Sequence, residues 1–133
     1  MPKPGDSKRR ASETQKDRIR ATKSDKQKIR KAKLKVLIDP NGGTGFIAKG
    51  ILETLGVAAK CLNMEQGIFN RTVEPNEDSL FYLANHVRDG HYDFAAGFDC
   101  DADRVEIMTG NGLVSGNHLL ALISDDILKK SRK

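Results

Sequence analysis

The sequence has 133 residues, of which 38% are apolar and 31% charged, a composition and length that suit one globular domain. No apolar run approaches the ~20 residues that a membrane-spanning helix needs, and no apolar segment follows the first basic residues, so we expect neither a transmembrane helix nor a secretory signal. Two cysteines, Cys61 and Cys100, are too few for a disulfide scaffold and fit no paired metal-binding spacing. We expect a cytoplasmic protein with reduced thiols.

The charge is distributed unevenly along the chain. Residues 1–33 contain thirteen Lys/Arg and four Asp/Glu, whereas residues 34–133 contain ten and fourteen. Apart from Met1, the first segment has only Ile19 and Ile29 as large apolar residues, too few to offset the entropy of ordering it. We interpret residues 1–33 as a flexible basic arm or linker, which serves either as a solvated linker or as an electrostatic handle for nucleic acid or an acidic partner.

The first predicted elements form a strand, a turn, a helix and a second strand. The apolar, β-branched run from Leu34 to Asp39 predicts a strand, and the turn that follows contains Gly42, Gly43 and Gly45. A helix is expected from Phe46 to Leu55, closed by Gly56, and a second strand from Val57 to Leu62. The segment from Asn63 to Pro75 is predicted to be a long loop.

The second half of the chain continues the alternation. Asn76 caps a predicted helix that ends at Gly90. Strands follow at 93–98 and 105–108, and a last helix is expected from Ser115 or Asn117 to Leu128. The order predicts an α/β fold over residues 34–128, a three-layer α/β/α sandwich with a four-stranded mixed, mostly parallel sheet. Residues 129–133 are predicted to be a polar tail.

The most informative motif is Asp99-Cys100-Asp101-Ala102-Asp103-Arg104, directly after the third strand. Carboxylates at alternate positions project to one side of an extended backbone and repel one another unless a cation lies among them. Oxygen ligands favour a hard ion, Mg²⁺ rather than Zn²⁺. An EF-hand loop is excluded because its sixth position would be Arg104 and its twelfth Gly110. A solvated acidic turn remains as the alternative.

This acidic motif resembles the metal loop of the α-D-phosphohexomutases, the phosphoglucomutase and phosphomannomutase family, and the resemblance extends over residues 34–128. The strand from Lys35 to Asp39 and its glycine turn resemble the start of that family's second domain. Further similarity lies in the segment before the second helix and in the turn and helix that end the domain, at Gly67, Phe69, Arg71, Glu74, Pro75, Glu77, Leu80, Gly112 and 116–120.

The resemblance implies phosphoryl transfer between a hexose phosphate and a phosphoserine, with Mg²⁺ as cofactor. It implies that Asp99, Asp101 and Asp103 bind Mg²⁺ and that Arg104 positions the phosphate. The family's catalytic serine lies in a Thr-Ala-Ser-His-Asn-Pro type loop, which this sequence does not contain. We therefore expect the chain to lack mutase activity alone and to need other mutase domains or chains. The alternative is a non-enzymatic interaction module that binds nucleic acid or an acidic partner through its arm.

One position departs from the family pattern inside the metal loop. Cys100 stands where the family usually has glycine. If the backbone at this position has a positive φ, the Cβ atom of Cys100 would strain the loop.

Overall fold

A computed structural model describes residues 25–132 of the protein. In chain order the elements are α1 (residues 25–32), β1 (Lys35–Asp39), a 3₁₀ turn (Thr44–Phe46), α2 (Ile47–Thr54), β2 (Ala58–Cys61), α3 (Glu77–Asp89), β3 (Phe94–Phe98), β4 (Val105–Thr109), β5 (Gly112–Val114) and α4 (Gly116–Ser131). We call residues 62–76, which connect β2 to α3, the crossover loop.

The five strands form a single sheet in the order β2-β1-β3-β4-β5. β1 pairs in parallel with β2 and β3, whereas the β3–β4 and β4–β5 pairs are antiparallel. The predicted α/β class and mixed sheet are confirmed, but the sheet has five strands instead of the expected four, and two of its four strand pairs are antiparallel. β5 was missed because it has only three residues and directly follows the turn at Asn111, so its sequence reads as part of the connection to the last helix.

Helices cover both faces of the sheet. Alternate residues of β1 point to opposite faces, and both sets are apolar, so each face needs a helix to bury it. Leu37 contacts a cluster contributed largely by α3, with Leu80, Leu83 and Val87 at its centre. Val36 and Ile38 lie on the other face and pack with Val57, Ala59 and residues of α2. β1, an inner strand of the sheet, is therefore buried on both sides, which explains its continuous apolar sequence.

The cap of α3 is confirmed in atomic detail. The side chain of Asn76 accepts a hydrogen bond from the backbone N–H of Ser79, and the Ser79 hydroxyl accepts one from the N–H of Asn76. This reciprocal pair fixes where the crossover loop becomes helix. Acidic Glu77 and Asp78 in the first turn further stabilise the helix N-terminus.

Ordered structure begins before Leu34, inside the segment predicted to be an arm. Ile29 of α1 packs against the apolar cluster beneath α2, and the Arg30 Nη2 atom donates to the carbonyl of Thr54 at 3.0 Å. An ion pair of 2.9 Å between Lys130 Nζ and Asp25 links α1 to the end of α4. The rest of the predicted arm, residues 1–24, lies outside the described residues.

α4 packs loosely. It begins at Gly116 behind the Ser115 cap and continues to Ser131, past the predicted end at Leu128. None of its residues is buried, and its exposed large apolar side chains are Leu120, Leu122, Ile123, Ile127 and Leu128. Within residues 25–132, no helix is both long enough and apolar enough to cross a membrane.

The docking of α1 predicts a measurable contribution to stability. We expect Ile29→Ala to lower the free energy of unfolding in urea by about 1–2 kcal/mol, because a half-buried side chain loses part of the ~2–5 kcal/mol typical of a fully buried one. Exposed Lys28 provides the control, and Lys28→Ala should change stability by less than about 0.5 kcal/mol. Equal effects of the two variants would show that α1 does not dock in solution.

Candidate metal centre

A buried carboxylate lies at the carboxyl end of β1. Asp39 is fully buried, and its Oδ2 atom receives hydrogen bonds from Arg71 Nε at 2.8 Å and from the Tyr82 hydroxyl. Its Oδ1 atom accepts from the backbone N–H of Asn41 at 2.9 Å and from Asn63 Nδ2 at 3.1 Å. Both oxygens are therefore paired. Removing one partner of such a buried ion pair typically costs 3–5 kcal/mol, because the remaining charge is left uncompensated.

The network also restricts the titration of Tyr82. Burial and the hydrogen bond to Asp39 raise the pKa of Tyr82 well above its ordinary value of 10.0. Ionisation would place a second negative charge beside the Asp39 carboxylate. The neutral phenol is therefore the form that the folded state stabilises.

Asn41 links the turn after β1 to the crossover loop. This buried residue adopts a positive φ of 47°, and its Oδ1 atom accepts hydrogen bonds from the backbone N–H groups of Asn70 and Arg71 at 2.8 and 3.2 Å. Its Nδ2 atom donates to the carbonyl of Arg71 at 3.1 Å. One side chain thus holds the backbone on both sides of Arg71.

The two glycines after Asn41 allow this turn to approach its neighbours closely. A Cβ atom on Gly42, which has φ +69°, would lie 2.3 Å from the carbonyl oxygen of Ile68. On Gly43 it would lie 2.2 Å from the carbonyl oxygen of Cys100. That same oxygen accepts hydrogen bonds from Thr44, from N at 2.9 Å and Oγ1 at 3.3 Å. The glycine turn therefore packs directly on the acidic loop, residues 99–104.

The structure brings the three predicted carboxylates together. Oxygen atoms of Asp99, Asp101 and Asp103 lie within 4.8 Å of one another, with Asp99 buried and the other two exposed. Their convergence comes from a turn and not from the extended backbone that the alternation suggested. Ala102 has φ +59°, and its N–H donates to the carbonyl of Asp99 at 3.3 Å.

The condition for strain at Cys100, a positive backbone φ, is not met. The positive φ in the acidic loop falls on Ala102, one residue after the central aspartate, and not on Cys100. Cys100 is half-buried and contributes its carbonyl to the contact with Thr44. A side chain at this position is therefore compatible with the backbone of the loop.

Arg104 closes the acidic loop from its last position. Its Nε atom donates to Asp99 Oδ2 at 3.0 Å, and its Nη1 atom donates to Glu74 Oε1 at 3.2 Å. Its backbone N–H donates to Asp99 Oδ1 at 3.2 Å. The side chain is 56% exposed, so the guanidinium lies at the rim of the carboxylate cluster.

Contacts within the acidic loop change the pKa values of two of the three carboxylates. Burial disfavours ionisation of Asp99, but hydrogen bonds with Asp103 and Arg104 outweigh it and lower the pKa of Asp99 to about 2. The pKa of Asp103 is raised to about 6 by its hydrogen bond with Asp99, by desolvation and by the charge of Asp101. Asp103 therefore retains a proton in weakly acidic solution. A bound cation would reduce the repulsion between the carboxylates in the same way as this proton does.

Comparison with known proteins identifies the fold and its family. The family model of the phosphoglucomutase/phosphomannomutase α/β/α domain II matches residues 16–112. The chain belongs to this family. The resemblance inferred from the acidic loop is thereby confirmed, and the match begins inside the segment predicted to be a basic arm.

Curated relatives of this domain II chain are mutases of greater length. A probable phosphoglucosamine mutase of Pyrococcus abyssi is 38% identical over 101 residues, covering 74% of this chain and 22% of the relative. A phosphomannomutase/phosphoglucomutase of Pseudomonas syringae is 36% identical over 104 residues, with the same two coverages. The chain thus spans about a fifth of the length of these relatives.

The donor set of the domain fits a hard divalent cation. Among the described residues, the clustered donors are carboxylate oxygens alone, which suit Mg²⁺ or Mn²⁺ better than Zn²⁺. Sequence reasoning found these three aspartates because their spacing is distinctive. It assigned no role to Asp39, Arg71 or Tyr82, which are separated along the chain. A charged residue at the end of an apolar strand was the available signal for Asp39.

The raised pKa of Tyr82 predicts a delayed phenol titration. We expect the tyrosinate absorbance of Tyr92→Phe, in which Tyr82 is the only tyrosine, to rise with a midpoint above pH 10.0 in native buffer. The contribution of Tyr82 to stability is complete below its ordinary pKa and is lost as pH rises through the higher folded-state value. In denaturing urea the midpoint should return to about 10. A native midpoint at 10.0 would contradict the hydrogen bond to Asp39.

Proposed function

We propose that this chain is the metal-holding domain of a phosphohexomutase, an enzyme that transfers a phosphoryl group between a phosphoserine and a hexose phosphate. The observation that carries the proposal is the convergence of the Asp99, Asp101 and Asp103 carboxylates after β3. Membership of the domain II family and the mutase names of the relatives support it. Ligands of open α/β sheets bind at the carboxyl ends of strands, where this cluster lies.

In this proposal Asp99, Asp101 and Asp103 hold Mg²⁺. The ion would supply positive charge to neutralise the oxygens of the transferring phosphoryl group. The buried Asp99 provides the fixed ligand, because its two oxygens are oriented by the backbone N–H and the Nε atom of Arg104. The exposed Asp101 and Asp103 complete the set from the solvent side.

Arg104 is proposed to orient the phosphate beside the carboxylates. Its planar guanidinium offers several donors in a geometry that suits phosphate oxygens. The contacts with Asp99 and Glu74 hold the group at the rim of the cluster, and its exposure leaves room for a phosphate to approach. Hydrogen bonding to Asp99 raises the pKa of Arg104, so the side chain stays charged.

The remaining parts of the reaction are proposed to come from other mutase domains or chains. The 133 residues contain no Thr-Ala-Ser-His-Asn-Pro type loop that would supply the phosphoserine. The hexose phosphate is proposed to bind only in the complete enzyme. We therefore propose that these 133 residues alone do not interconvert hexose phosphates.

Metal binding by the isolated chain is the direct test. Titration with Mn²⁺ should broaden the backbone amide signals of residues 99–104, and Asp101→Asn should weaken that broadening at least tenfold because it removes a charged ligand. Asp89→Asn is the matched control, since Asp89 is exposed at the end of α3 and lies at the opposite end of the sheet. Broadening that is equal in all three proteins, or absent from residues 99–104, would refute the proposal.

The raised pKa of Asp103 predicts that metal affinity depends on pH. A proton on Asp103 must leave before the carboxylate binds a cation, so affinity should increase as pH rises through about 6. Between pH 5 and pH 7 the ionised fraction grows from about 0.1 to about 0.9, which predicts an increase of about tenfold in Mn²⁺ affinity. Asp103→Asn should bind more weakly with little change over this range. Constant affinity in the unmodified chain would contradict the prediction.

A further inference from the structure

We infer that Arg71 is a positioning residue for the acidic loop, acting on Asp99 through the backbone of β3. The inference rests on the proposed metal-holding function and adds to it a side chain from outside the carboxylate cluster. Arg71 belongs to the crossover loop, 28 positions before Asp99 in the sequence. Its guanidinium nevertheless contacts the residue that immediately precedes Asp99.

The contacts of Arg71 connect the ends of two neighbouring strands. Its Nη2 atom donates to the carbonyl of Phe98, the last residue of β3, at 2.5 Å and to the carbonyl of Asp39, the last residue of β1, at 3.3 Å. Its Nε atom pairs with the Asp39 carboxylate at 2.8 Å. The parallel pairing of β1 and β3 ends at Asp39 and Gly97, so the guanidinium continues the link one residue further.

The guanidinium itself is held rigidly. The Arg71 side chain is 5% exposed, and the Asp39 side chain is fully buried. Asn41 accepts from the Arg71 N–H and donates to its carbonyl, which fixes the backbone from which the side chain extends. Asn41 holds the backbone of Arg71 and Asp39 holds its guanidinium. The hydrogen bond from this fixed guanidinium therefore fixes the carbonyl of Phe98, and with it the start of the acidic loop.

The position of Phe98 matters because Asp99 is the least adjustable of the three clustered aspartates. Asp99 is 2% exposed, whereas Asp101 and Asp103 are exposed and can adapt their side chains to an ion. A shift of the strand end would move the Asp99 carboxylate away from the other two. Loss of a neighbouring group that orients a ligand typically lowers metal affinity by 10–100-fold.

Lysine cannot replace arginine in this role. An ammonium group could neutralise the Asp39 carboxylate, but it lacks the planar fork that contacts Asp39 and Phe98 at the same time. Arg71→Lys is therefore the informative variant, since it keeps the buried charge pair and removes the link to Phe98.

The experiment compares Mn²⁺ affinity with stability in folded variants. We expect Arg71→Lys to lower Mn²⁺ affinity about tenfold and to shift the amide signals of residues 98–104 in the metal-free protein. Val57→Ala is the control: Val57 is buried beside the start of β1, at the far end of the sheet. Val57→Ala should lower the urea midpoint. Its Mn²⁺ affinity should stay within twofold of that of the unmodified chain, and the amide signals of residues 98–104 should not shift.

Each result has a definite meaning. Wild-type affinity and unshifted signals in folded Arg71→Lys would overturn the inference. If the unmodified chain binds no Mn²⁺, the proposed function fails, and the amide shifts alone decide whether Arg71 positions the loop. If Arg71→Lys does not fold, Asp39→Asn combined with Arg71→Gln leaves no unpaired charge and should give the same loss of affinity and the same shifts.

Discussion

The fold depends on compensation of one buried negative charge at the end of β1. Asp39 has no access to solvent, so its two oxygens must be paired within the protein. The partners come from the glycine turn (Asn41), the crossover loop (Asn63 and Arg71) and α3 (Tyr82). One carboxylate therefore fixes the relative positions of segments that are far apart in the sequence. The acidic loop is built against this arrangement, since the glycine turn and Arg71 both contact its first residues or the strand before it.

The strand order explains why the two acidic features are neighbours. β1 and β3 are adjacent and parallel, so their carboxyl ends reach the same edge of the sheet. That edge receives Asp39 from one strand and Asp99 from the next. The two aspartates differ in what surrounds them: Asp39 is neutralised by a buried arginine, whereas Asp99 shares its surroundings with two further carboxylates and an exposed arginine. The Asp39–Arg71 pair stabilises the fold. The Asp99 cluster keeps a net negative charge, carried at the surface by Asp101 and Asp103, because one arginine faces three carboxylates.

The sequence predicted local features well and long-range ones poorly. Residues that are adjacent in the sequence form three features: the β1 strand, the Asn76 cap and the acidic loop. Each of these can therefore be recognised from a short stretch of sequence. The contact between Arg71 and Phe98 joins residues 27 positions apart through a loop of irregular backbone, which has no periodicity to read. The sequence of α1 reads as part of a basic arm because a single apolar residue, Ile29, provides its contact with the core. β5 escaped notice because three residues carry too little pattern.

The loose packing of α4 has a consequence for how the domain unfolds. A helix without buried side chains gains little free energy from tertiary contacts, and a helix of this length is only marginally stable by itself. Its backbone amides should therefore exchange with solvent deuterium through local openings that cost much less than unfolding of the sheet. The cooperative unit then includes the sheet together with α2 and α3, which pack on its two faces. In that view, the acidic loop belongs to the part of the molecule that opens last.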